Sequence, residues 1–415
     1  MLDSGSTGFM LICTGLVFFM TLGLAFFYGG FVRRKNVLNT MMSSLALIGL
    51  SVIMWIAIGY SLSFCGDNGG IIGTLNWAFL NGVGLEATNY GQETNIPHLL
   101  FAAFQMMFAI ITPAIITGAI AGRMKFKALF IFVAVWSLVV YYPMAHMVWG
   151  QGGFLAKIGS VDFAGGNVVH IASGVSALLL SIFLGKRRDC EIGDHRPHNI
   201  PFIVLGAGIL WFGWFGFNSG SALAANGLAV HAFMTTAISS ATAMLSWMLI
   251  EITVQKKVTI VGAATGGIIG LVAITPGAGF VPIWSSLIIG ALVSPICYFC
   301  VAVIKKKFGY DDTLDAFGCH GVGGIWGGIA TGIFASSKIN PIAEWNGLIY
   351  GDTRLFTAQI ISIVITIAVA IAGTCICVYI TKIFTPLRVD KRSENVGLDI
   401  SEHGESAYPS FNGID

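Results

Sequence analysis

Charge is scarce in this sequence. Aspartate, glutamate, lysine and arginine make up 10% of its 415 residues, against about 25% in an ordinary soluble domain. A water-facing surface of that extent needs more. A cytosolic enzyme, a secreted disulfide scaffold, a disordered chain and a nucleic-acid binder are therefore excluded. Residues 1–8 hold no lysine or arginine. They lack the basic stretch of a cleaved signal peptide, so the first apolar run is expected to be a retained spanning helix. No Gly-x-Ser-Gly or Gly-x-Ser-x-Gly string occurs, which argues against an intramembrane serine hydrolase. A Thr-Val-Gly-Tyr-Gly potassium filter is missing as well. The eight cysteines lie mostly inside apolar runs, as small hydrophobes. The close pairs Cys297/Cys300 and Cys375/Cys377 have too few further ligands nearby for a metal site.

What is abundant is apolar. Hydrophobic residues make up 55% of the chain, and the mean hydropathy is +0.81. Apolar runs fall at about 8–32, 41–64, 98–121, 128–149, 165–185, 200–218, 227–252, 258–275, 282–304, 316–335 and 356–383. Each is long enough to cross roughly 30 Å of hydrocarbon. The expected fold is an all-α polytopic membrane protein of eleven transmembrane helices. A transmembrane domain covers 1–383, and a polar tail follows at 384–415.

The basic residues are few but sorted. Nineteen of the 22 lysines and arginines fall in alternate connections: Arg33 to Lys35, Arg123 to Lys127, Lys186 to Arg196, Lys256/Lys257, Lys305 to Lys307, and the tail. The other connections hold only Lys157, Lys338 and Arg354. Lysine and arginine stay in the cytoplasm, so the N-terminus is expected outside the cell membrane and the C-terminus inside. The outer loop 65–97 carries Asp67, Glu86 and Glu93 without a basic residue. It reads either as a mildly cation-enriching mouth or as a plain polar loop.

Two segments resemble each other. Asp162 to His170 (DFAGGNVVH) opens the fifth run, and Asp312 to His320 (DTLDAFGCH) opens the tenth. Each places a histidine eight residues after an aspartate. The fifth span runs inward and the tenth outward, so spans 1–5 and 6–10 form an inverted repeat with one helix left over. If each helix begins near its aspartate, each histidine lies about 12 Å in, from opposite faces. Both then approach the midplane. Ionisable groups at that depth are costly and usually functional. Two imidazoles in contact can share a proton and line a proton or water path. A metal pair lacks a third ligand at matching depth. Asp162 is expected to cap its helix, and its charge also suits a cation at the outer mouth.

Trp149, Phe108, Phe217 and Ser221 all fall in the outer halves of their helices, and Trp214 and Trp211 lie about two and three turns before Ser221. Aromatic faces with a hydroxyl acceptor suit a small cation, although packing accounts for such residues equally well. Glycines 262, 266 and 270 share one helix face, the pattern of closely packed membrane helices.

Taken together, Ala145 to Gly150 (AHMVWG), Asp162 to His170, Trp214 to Ser221 (WFGFNSGS), Leu314 to Gly321 (LDAFGCHG) and Gly397 to Glu405 (GLDISEHGE) resemble the ammonium transporter family (Amt/Mep/Rh), of prokaryotic Amt type. The resemblance spans nearly the whole chain. It implies a non-enzymatic homotrimer in the lipid bilayer, with one pore per subunit and no cofactor. It implies an outer ammonium site at Trp149, Phe108 and Ser221, and a stacked gate at Phe108 and Phe217. Twin pore histidines at His170 and His320 follow, with Asp162 and Trp214 in support. It also implies a regulatory tail that works with a PII-type signalling protein. Met106 and Met107 depart from the smaller residues often found before the gate phenylalanine. Three activities fit: ammonium transport, passive conduction of ammonia or CO₂, and ammonium sensing with little transport.

Overall fold

The computed structural model describes residues 2–89, 93–188 and 197–408. Arg196 and Cys190 lie outside the described residues, as does the end of the tail from 409, and the side chain of Glu93 is not described either.

Every expected run is a helix. We label them α1 (Ser4–Phe31), α2 (Arg34–Phe64), α3 (His98–Ile120), α4 (126–149), α5 (Gly166–Leu184), α6 (Ile200–Gly220), α7 (Gly227–Gln255), α8 (Ile260–Ile274), α9 (Ile283–Phe308), α10 (317–334) and α11 (Arg354–Phe384). Side-chain caps start several of them. Asp3 accepts from Ser6 N at 2.6 Å, and Asn199 accepts from Phe202 N at 3.0 Å. Thr259 accepts from Gly262 N at 2.8 Å. Each bond satisfies a donor that the first helical turn leaves orphaned.

Among the described residues, nine helices are long and apolar enough to cross a membrane. Of the other two, α10 spans 317–334 and is rich in glycine, and α8 is shorter for a physical reason. Helix α8 has 15 residues, about 22 Å at 1.5 Å each. The chain then continues as a fully buried non-helical stretch, 275–281. Backbone at such depth must find partners inside the protein, and it does. Pro276 O accepts from Phe163 N at 3.0 Å, Ala278 O from Thr235 Oγ1 at 2.8 Å, and Phe280 O from Ser336 N at 2.9 Å.

Small residues let the helices approach. A Cβ on Gly23 of α1 would lie 2.7 Å from Ile209 of α6, and one on Gly270 of α8 would lie 2.6 Å from Ser239 O of α7. The 262/266/270 stripe therefore packs against α7. The outer loop is not wholly irregular, because Ala87–Asn89 pairs antiparallel with Glu93–Pro97. Asp3 N donates to Asn95 O at 2.8 Å, so the N-terminus and this loop share one face. Contacts among Arg34, Lys35, Arg123, Arg187, Arg188 and the tail gather those basic segments on the other face. Asp67 does not stand free at the mouth: it meets His146 Nε2 at 3.2 Å and Lys157 Nζ at 3.3 Å.

Candidate functional site

Three helix ends build a cup on the face opposite the basic loops. Helix α3 carries Phe108, α4 ends on Trp149, and α6 ends on Phe217 to Ser221. Trp149 Nε1 donates to Asp162 O at 2.9 Å, which fixes the indole plane. The Ser221 hydroxyl donates to Phe217 O at 2.9 Å. Its lone pairs therefore remain free to accept from a donor. The Phe108 ring stands edge-on to Trp149, with centroids 5.9 Å apart at 84°. These residues line a cavity of about 310 Å³ that also touches Gln105 and Asp162.

Phe108 and Phe217 close the floor of the cup. Their centroids are 4.4 Å apart at 35°, and both side chains are almost fully buried. Below them lies a lumen of about 20 Å³, lined by His170, His320, Trp214 and aliphatic side chains. That is room for roughly one water-sized molecule. His170 sits under Phe217, with centroids 6.2 Å apart, and beside Trp214 at 5.4 Å. Trp214 Nε1 donates to Thr275 Oγ1 at 3.0 Å, so the indole is held from behind.

The two histidines meet. Nδ1 of His170 and Nδ1 of His320 are 3.2 Å apart, with ring centroids at 5.3 Å. In a neutral pair one Nδ1 donates and the other accepts. The donor ring then has a bare Nε2, and its partner carries its proton on Nε2. The pair thus offers one acceptor and one donor nitrogen, and Nε2 of His170 has no protein partner. A close crossing of α5 and α10 permits this contact: Gly174 packs directly on Gly321, and a side chain on Gly174 would force the helices apart.

The expected 12 Å path from aspartate to histidine is corrected here. Neither aspartate lies within its helix. Each accepts main-chain N–H groups of a wide first turn that starts about four residues later. Asp162 accepts from Gly165, Gly166 and Asn167 at 2.8, 2.6 and 2.7 Å. Asp312 accepts from Ala316 and Phe317 at 3.1 and 2.8 Å. Gly165 takes φ 120°, a conformation closed to most side chains, as the chain turns into α5. Each histidine therefore sits on the first, π-type turn of its helix rather than two turns in.

Sequence reasoning missed Gln105, a buried side chain whose Oε1 is unpartnered in the cup. Its position one turn before Phe108 was the available signal. The same reasoning placed the charged loops on the opposite face but missed the cavity of about 680 Å³ there and the ion pairs around it. There Arg187 grips Asp311 at 2.7 Å and Arg388 grips Glu394 at 2.8 Å. Among the described residues, no group of three His, Cys, Asp or Glu side chains is arranged to hold a metal ion.

The family model described as the Ammonium Transporter Family matches residues 8–408. The chain belongs to this ammonium transporter family. It is similar to the ammonium transporter of Bacillus subtilis, 49% identical over 98% of this chain and 99% of that protein. Among solved structures it resembles Mep2 of Saccharomyces cerevisiae, with a TM-score of 0.86 and 34% identity over 94% of this chain and 88% of that one. A sensor Amt protein matches with a TM-score of 0.86 at 27% identity, over 96% of this chain and 98% of that one. Ammonium transporters are multi-pass membrane proteins, not enzymes, and the eleven helices accord with that membership.

Proposed function

We propose that this protein transports ammonium across the cell membrane, with its N-terminus outside, its C-terminus in the cytoplasm and three subunits per assembly. The ion is recruited in the cup. The faces of Trp149 and Phe108 attract its charge, and Ser221 accepts one of its hydrogen bonds. Potassium matches ammonium in charge and nearly in size, so recruitment alone cannot separate them. The gate and lumen do. Moving a bare monovalent ion into an apolar interior costs tens of kcal/mol in the Born picture. Releasing a proton instead costs about 1.36 kcal/mol per pH unit below the ion's pKa. Ammonium has that route and potassium does not. Neutral ammonia passes the Phe108/Phe217 gate into the lumen. The proton follows along the imidazole pair, whose nitrogens offer one donor and one acceptor.

The observation that carries this reading is the 3.2 Å contact between two imidazoles in a lumen of about 20 Å³, directly behind an aromatic gate. A hydrated cation does not fit there, and a neutral molecule of ammonia's size does. On the cytoplasmic side, the tail lies over the loops: Asp399 accepts from Asn39 N at 2.8 Å and Glu402 from Phe126 N at 3.0 Å. This face is the docking place for a PII-type signalling protein.

Ammonium pulses on proteoliposomes with current recording test the proposal. An inward charge proportional to flux is expected. Flux without current would make the protein a passive ammonia or CO₂ channel. Neither flux nor current would make it a sensor, a reading favoured by the likeness to the sensor Amt protein.

A further inference from the structure

Arg123 has no part in the transport scheme, yet it is a fully buried arginine, 0% exposed. It follows the end of the gate helix α3, and it reaches the entry to the His320 helix α10. Nη1 donates to Thr313 Oγ1 at 2.6 Å, and Nη2 donates to the main-chain oxygen of Asp311. Among the described residues no carboxylate pairs with the guanidinium, because Asp311 spends its own on Arg187. Burial pulls Arg123 down to about 10, against the opposing charge of Asp311, and it remains a cation at neutral pH. Burying a cation without a direct counter-charge is expensive, and an apolar side chain of similar volume would pack there at lower cost. What the guanidinium supplies instead is a rigid fork with donors at fixed positions. Its backbone is held as well. Val389 N donates to Arg123 O at 3.0 Å, and Lys125 N donates to Leu387 O at 2.8 Å.

We infer that Arg123 is a positioning residue for the pore. It sets the depth and rotation of the His320 helix against the gate helix, and so keeps the two imidazoles within hydrogen-bond reach. Six residues lie between Thr313 and His320, and the intervening first turn of α10 is wide and, among the described residues, capped by the Asp312 side chain. The histidine's placement thus depends on how the 311–313 segment is anchored. The inference rests on the transport reading above, and its test separates the two.

The test uses the full-length protein in proteoliposomes, with current normalised to folded protein. Arg123→Met removes both donors. Its maximum current per molecule should fall at least about tenfold. Half-saturating ammonium should stay within about twofold, because the cup lies about 18 Å up α3 at 1.5 Å per residue. Arg123→Lys, with one compact donor, should recover part of the current. Thr313→Val removes one acceptor and should lower current about threefold. Its effect should be non-additive with that of Arg123→Lys, as expected of partners in one contact. A role in folding alone would lower yield and leave current per molecule unchanged, and that result overturns the inference. If Arg123→Met does not accumulate, wild-type current in Thr313→Val overturns it. A silent wild type would count against transport instead. The ¹⁵N imidazole signals of His170 and His320 would then decide, and wild-type signals in Arg123→Met would overturn the brace.

Discussion

The entries to the two pore histidines use one backbone device in two settings. Asp162 and Asp312 each accept main-chain N–H groups of a wide first turn, and each turn carries a histidine. Asp162 does so on the face opposite the basic loops, beside Trp149 and, among the described residues, with no basic side chain in its bonds. Asp312 does so on the face where the basic loops gather, next to Asp311, Asp315 and Lys305. There Lys305 Nζ donates to Asp312 O and to Asp315 Oδ1, each at 2.6 Å. The repeat thus preserves what shapes the backbone and leaves the surrounding charge to diverge. A capping aspartate held by main-chain N–H groups, as Asp162 is, suits a site for a cation. An inner mouth ringed by bases belongs to the side where lysine and arginine collect.

The largest break in this symmetry should come from the caps. Asp162→Ala leaves three buried N–H groups without an acceptor, at about 1–3 kcal/mol each. Asp312→Ala leaves two, and it also relieves repulsion with its acidic neighbours. Thermal unfolding of the purified proteins should therefore show the greater loss for Asp162→Ala. The reverse order would mean that the charge surround, not the cap, dominates.

Next come the histidines. His170→Ala and His320→Ala should both keep the proposed trimer and sharply lower ammonium-driven current, by more than about tenfold. An Asp or Glu at either position puts a fixed negative charge in the lumen and should admit potassium. Wild-type current and selectivity in His170→Ala would reduce the pair to a structural contact.

A smaller effect is expected in the cup. Ser221→Ala removes a hydrogen bond to a charged donor, worth roughly 1.5–3 kcal/mol, and Trp149→Leu removes a cation–π contact worth about 0.5–2 kcal/mol, so half-saturation should rise about tenfold in the first and somewhat less in the second. Unchanged half-saturation in both returns these residues to packing. The mildest change is at the cytoplasmic face. Deleting 384–415 should abolish co-purification with a PII-type protein, and retained binding would place that interface on the loops.

Much of this molecule is legible in its sequence. Eleven apolar runs became eleven helices, because in lipid a backbone satisfies itself only by coiling on itself. The repeat of Asp162/His170 in Asp312/His320 was visible as two matching offsets. Other features were not legible. The buried stretch 275–281 falls between the eighth and ninth apolar runs, and only carbonyl partners such as Thr235 and Ser336 show how it survives at depth without a helix. Arg123 reads as one more residue of a basic loop. Its burial became apparent once Asp311 and Thr313, nearly two hundred residues later, folded onto it.

The sequence alone determined the number of helices, their alternating direction and the residue types available for a cation and for a proton. Those properties follow from composition and local periodicity, since hydrocarbon penalises every uncoiled or charged residue within a segment. The tertiary structure decided which residues meet. That the two histidines touch through Nδ1, that Phe108 covers Phe217, and that Asp162 turns to its own backbone all depend on helix crossings. Those crossings are set by glycines packed against distant neighbours, such as Gly174 against Gly321. Contacts between residues 150 positions apart are fixed by packing, which no local pattern encodes.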